Sequence, residues 1–201
     1  CTPNGEIDPP GTSYSNTAQI EGWGEAGQGV GKVTNKPWHM DLTKSGSVLG
    51  GANRNGKIAW TVTVPGDKLE GKDGFTLTEA LGPGHHVGAD TISGIKVVEQ
   101  YGPNPGNATG LKQDITSKLT STTLSSSGTA FAVKLDINDP DLAFKANDWR
   151  YIITYYTYAD STDLPTGGTS FSNTADIDGS QVTDQADVPA RTYDKSGSLN
   201  G

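Results

Sequence analysis

Alternation of apolar and small or polar residues, in segments closed by turn residues, constrains this chain most. Successive side chains of a strand point to opposite faces, so a period of two names the face that meets a core. Ile58, Trp60, Val62 and Val64 alternate with Ala59, Thr61 and Thr63, and Pro65-Gly66-Asp67 closes the segment as a turn. Phe131, Val133, Leu135 and Ile137 repeat the pattern and end at Asn138-Asp139-Pro140. Tyr151–Tyr158 (YIITYYTY) is aromatic and β-branched throughout, which suits a central strand covered on both sides. With 27 glycines, 32% hydrophobic residues and loops such as STTLSSS and GPNPGNATG, the pattern predicts an all-β sandwich of short strands.

Three further strands break the alternation at one position each. Met40 and Leu42 put Lys44 on the apolar face, Phe75, Leu77 and Leu81 put Glu79 there, and Phe171, Ala175 and Ile177 do so for Asn173. Singly, each has an ordinary explanation: a strand-end lysine snorkels, and an inward asparagine bonds to backbone. Together they point to one another, because a buried unpaired charge costs several kcal/mol. In an apolar pocket a lysine loses its proton more readily and a carboxyl holds its own. A neutral amine against the asparagine Cγ, with an acid on the amide, can expel ammonia and leave an isopeptide bond. Such a link would join the first and last strands of a domain. It would close a loop of about 130 residues, worth on the order of 4–5 kcal/mol by chain entropy.

The chain also repeats itself. Thr12–Gly22 (TSYSNTAQIEG) and Thr169–Gly179 (TSFSNTADIDG) agree at eight of eleven positions with an offset of 157, and the KSGS of 44–47 recurs at 195–198 with an offset of 151. The order of these segments predicts three pieces: residues 1–24 as the C-terminal strand of an upstream repeat, 25–182 as one complete domain, and 183–201 as the first strand of a downstream repeat. A rival parse pairs the two SNTA segments as strands of one pseudo-symmetric domain, but the 50–165 interior has no second copy.

The KSG of 44–46, GKIAWTVTV of 56–64, FTLTEAL of 75–81 and YIITYYT…FSNTA between 151 and 175 resemble the isopeptide-forming immunoglobulin-like domains of Gram-positive surface adhesins. The type is the one related to the collagen-binding A region of the staphylococcal collagen adhesin. The resemblance covers about residues 36–179 and implies an immunoglobulin-like sandwich. It makes Lys44 the amine donor, Asn173 the acceptor and Glu79 the catalytic acid, and it makes Asn16 and Lys195 crosslinking residues of the neighbouring repeats. The acid in this type is commonly aspartate, and Asp67 and Glu99 remain alternatives to Glu79. The chemistry is one self-directed event, with no turnover catalysis and no cofactor.

The resemblance further implies an extracellular, cell-wall-attached protein whose partners are adjacent repeats and a host matrix protein such as collagen or fibrinogen. Two roles fit, a stalk and an attachment module; Trp23, Trp38, Trp60, Trp149 and the tyrosines raise a third, a carbohydrate-binding module. A net charge of −8 without a Lys/Arg cluster excludes nucleic acid as the expected partner. No segment approaches a membrane span, so a soluble chain is expected, with any export signal outside it. Cys1 offers no internal disulfide. Asn107-Ala108-Thr109 is a sequon. His85-His86 read as a surface loop and not a metal site, and Asp136, Asp139 and Asp141 lack the spacing of a calcium loop.

Overall fold

A computed structural model describes residues 13–19, 28–34, 41–49, 56–101, 112–136, 144, 149–160 and 168–188. Thirteen strands run through them: β1 (Ser13–Gln19), β2 (Gln28–Thr34), β3 (Thr43–Val48), β4 (Lys57–Pro65), β5 (Gly74–Leu81), β6 (His85–His86), β7 (Lys96–Tyr101), β8 (Lys112–Asp114), β9 (Leu119–Leu124), β10 (Ala130–Asp136), β11 (Trp149–Ala159), β12 (Thr169–Ile177) and β13 (Ser180–Val188). All pairings are antiparallel. Strands β3 to β13 form an immunoglobulin-like β-sandwich. One sheet has the order β13-β12-β5-β10-β9; the other runs β3-β4-β11-β7-β8, with β6 sharing the β7 edge of β11.

The core is the set of inward rows that period-two alternation names. Ile58, Trp60, Val62 and Val64 of β4, Phe75 and Leu77 of β5, Phe131, Val133 and Leu135 of β10, and Tyr151, Ile153 and Tyr155 of β11 are all buried. Met40 and Ile137 lie outside the described residues. Strand β11 departs from expectation: its inward face is buried, while Ile152, Thr154, Tyr156 and Tyr158 on the other face are only half covered.

Strand β13 pairs with β12 from Ile177↔Ser180 to Thr169↔Val188, so the boundary expected at 182/183 falls inside a strand of the sandwich. Its sequence hides this. SQVTDQADV carries polar residues on both faces, and only Ala186 and Val188 near its end are buried. Strands β3 and β13, at the edges of their sheets, lie against each other, and the Gly46 amide donates to Asp184 Oδ2 across them at 2.9 Å. Strands β1 and β2 pair in a separate two-stranded sheet, in which β1 contains the SNTA copy and places Asn16 opposite Gly31. Lys195, Cys1, Trp23, Trp38, Asn107, Asp139 and Asp141 lie outside the described residues.

Candidate functional site

Two sheets contribute to one buried polar cluster. On the β3 side, Lys44 sits opposite Val62, and Gly46 opposite Trp60, which in turn faces Tyr155 of β11. On the other sheet Glu79 of β5 is opposite Ala175, and Leu81 is opposite Asn173, so the carboxyl and the amide lie on a diagonal of the same inward face. The glycine of KSG has a steric reason. A Cβ at position 46 would fall 2.7 Å from Cε3 and 2.9 Å from Cη2 of the Trp60 indole, and nearer still to Cζ3.

Lys44 Nζ donates to Glu79 Oε2 at 2.7 Å and to the Tyr155 hydroxyl at 2.5 Å. The Asn173 Nδ2 amide donates to the same hydroxyl at 2.9 Å. The Lys44 and Glu79 side chains have no exposed surface, and Asn173 and Tyr155 are each 1% exposed. The amine also lies 5.1 Å from the centre of the Trp60 ring and 5.2 Å from that of Tyr155. The structure thus brings Lys44, Glu79 and Asn173 together and adds Tyr155, which contacts both nitrogens.

Burial pushes the Lys44 amine below its ordinary pKa, and attraction to Glu79 and Asp184 offsets this only in part. Burial raises the Glu79 carboxyl, with Lys44, Tyr155 and Asn173 pulling the other way. The Tyr155 phenol is held well above its usual pKa by burial and by Glu79. These directions favour amine and acid both uncharged, sharing one proton between them. Glu79 Oε1 and Asn173 Oδ1 are buried without a hydrogen-bond partner. Two acceptors cannot satisfy each other, whereas a protonated Glu79 can donate to the amide oxygen. That contact would polarise the Asn173 carbonyl toward attack.

A second set of bonds fixes the strand carrying Asn173. His85, expected on a surface loop, is buried on the two-residue strand β6, while its neighbour His86 points outward to Asp160 at 2.8 Å. His85 Nε2 lies 2.8 Å from the Ser172 carbonyl and Nδ1 3.1 Å from Thr157 Oγ1, which also accepts from Trp60 Nε1 at 2.8 Å. A carbonyl can only accept, so Nε2 carries the proton. Burial lowers the His85 pKa and keeps the ring neutral. The peptide immediately before Asn173 is therefore tied to the opposite sheet.

Of the alternative acids, Asp67 is exposed in the turn after β4, and Glu99 is buried on β7 opposite Tyr151; the carboxylate on the Lys44 amine is that of Glu79. Asn173 is on the penultimate of the described strands, so a Lys44–Asn173 link would join β3 to β12 and leave β13 outside the closed loop, contrary to the first-to-last expectation. Asp136 bonds to Lys134 and Thr120, and among the described residues no His, Cys, Asp and Glu cluster has metal-site geometry. No described helix is long and apolar enough to cross a membrane.

No protein-family model matches the chain, and no curated protein sequence does. Among the solved structures similar to it are collagen-binding domains of Gram-positive adhesins. The collagen-binding domain of a Staphylococcus aureus adhesin aligns at 11% identity and a TM-score of 0.46, over 74% of this chain and 98% of that one. The collagen-binding subdomain of the Enterococcus faecalis surface protein ACE aligns at 10% identity and a TM-score of 0.45, over 77% and 99%. A longer S. aureus collagen adhesin aligns at 12% identity and a TM-score of 0.48, over 80% of this chain and 53% of that one.

Proposed function

We propose that this chain is a structural domain of a bacterial surface adhesin whose sandwich closes itself with one Lys44–Asn173 isopeptide bond. The observation that carries the reading is the buried contact set in which Lys44 Nζ meets Glu79 Oε2 while Glu79 Oε1 and Asn173 Oδ1 are left without partners. The neutral Lys44 amine attacks Asn173 Cγ, Glu79 donates to Oδ1 as negative charge develops there, and Nδ2 departs as ammonia. One amine and one amide become one secondary amide plus ammonia, with no external reagent.

The bond would make the domain a force-carrying element of a wall-attached array, with β1, in residues 1–24, and the segment containing Lys195 belonging to the repeats on either side. In this reading Asn16 and Lys195 serve as acceptor and donor in those repeats. Digestion with trypsin and tandem mass spectrometry tests the bond itself. A branched peptide joining the Lys44 segment to the Asn173 segment is expected, and separate unmodified peptides for both positions would refute it.

Resemblance of the motifs to collagen-adhesin domains makes a fibrillar host protein the partner to try. Immobilised collagen and fibrinogen, probed with the whole chain up to micromolar concentration, separate attachment from a stalk role: saturable binding supports attachment and silence leaves the stalk.

A further inference from the structure

Any route from Lys44 and Asn173 to the linked pair must move a proton from the attacking nitrogen to the leaving one. Once Nζ has attacked, both nitrogens are bound to Cγ; the incoming one carries a surplus proton and the departing one lacks it. Direct transfer between them requires a strained four-membered ring. Glu79 Oε2 contacts Nζ, and in the isopeptide reading the Glu79 proton goes to the amide oxygen. The Tyr155 hydroxyl is in hydrogen-bond contact with both nitrogens, 2.5 Å from Nζ and 2.9 Å from Nδ2.

We propose that Tyr155 is a catalytic residue of this self-crosslinking, relaying the proton from the attacking nitrogen to the leaving one through its hydroxyl oxygen. The inference rests on the isopeptide reading. The Nζ proton passes to the phenol oxygen as the phenol's own proton passes to Nδ2, through a six-membered ring of Cγ, Nζ, H, O, H and Nδ2. The Cγ–Nδ2 bond then breaks with its electron pair on nitrogen, the carbonyl re-forms, and ammonia leaves. The phenol ends as it began, with the same number of protons.

Packing prepares the residue for this task. Tyr155 meets Phe131 edge-on at 5.2 Å, which leaves the hydroxyl rotor as its main freedom, and a hydroxyl proton turns to suit its acceptor. A buried tyrosine needs a polar partner in any case, but one donor would satisfy it. Here two nitrogens that must exchange a proton both aim at it.

The test compares the whole chain with its Tyr155→Phe variant, each made by cell-free synthesis, quenched in denaturant at timed intervals and weighed intact. The wild type is expected to lose about one ammonia, and the variant to lose it on the order of a hundredfold more slowly, as removal of a general acid–base does. Equal rates within twofold would overturn the relay while leaving the isopeptide reading intact. No loss in the wild type would overturn the isopeptide reading and the relay with it. Lys44→Ala and Lys44→Ala/Tyr155→Phe chains, matched by circular dichroism and melting, establish that the slow variant is folded. If phenylalanine prevents folding, O-methyltyrosine at 155 keeps the accepting oxygen and removes the relayed proton. It is expected to be equally slow, and a wild-type rate would overturn the proposal.

Discussion

Pulling the sandwich by Thr43 and Val188 separates a linked domain from an unlinked one by a length that the topology fixes. Force entering at β3 meets Lys44 after one residue, crosses to Asn173 and leaves along β12 and β13. The 128 residues from 45 to 172 would then be out of the load path, and only the 15 residues 174–188 could be drawn out. At roughly 3.4 Å per extended residue the linked chain gains about 50 Å at most. A Lys44→Ala variant has no such bypass, and its 146 residues from 43 to 188 extend to roughly 500 Å before the short folded span is subtracted. Single-molecule force spectroscopy with handles at those two positions reads the difference directly. An extension of several hundred ångströms in the wild type, equal to that of the variant, would refute the reasoning.

Three further outcomes follow from the geometry. In a Lys44→Ala background, where no link can mask the effect, Gly46→Ala forces a methyl into an indole pinned by Thr157. Overpacking of this kind costs about 1–3 kcal/mol, which lowers the melting temperature by roughly 2–12 °C, and an unchanged melt would contradict the packing account. The rate of crosslinking should be flat while Lys44 and Glu79 share a single proton, because the neutral pair and the ion pair then differ only in where that proton sits. It should fall in acid as the pair gains a second proton and in alkali as it loses the first; a rate that climbs without limit with pH would exclude Glu79 as the acid. His85 has a folded pKa below its ordinary 6.5, so the unfolded chain binds more protons in mild acid. Stability should therefore fall as pH drops below 6.5 in the wild type and fall less in His85→Gln, measured by denaturant unfolding at several pH values.

Lys44, Glu79 and Asn173 were legible because each violates an otherwise regular alternation: a lysine, a glutamate or an asparagine in an apolar row is conspicuous. Tyr155 was not, since a tyrosine breaks no pattern among Tyr151, Ile153 and Thr157. The available signal was its phenol oxygen, which on an inward face requires a partner. His85 was hidden differently. A strand of two residues is too short to show a period, and the neighbouring Pro83 and glycines read as loop. The edge strand β13 showed polar residues on both faces, so nothing in its sequence marked it as part of the sandwich until its pairing with β12 was seen. Alternation reveals which residues share a face; it does not reveal which atoms on two facing sheets meet.

The intact mass of the purified chain under denaturing conditions, measured beside Lys44→Ala, tests the central claim most directly. Loss of one ammonia from the wild type, with the variant at its full calculated mass, is the predicted result. A wild type at full mass would contradict the account and reduce Lys44, Glu79, Asn173 and Tyr155 to a buried polar cluster.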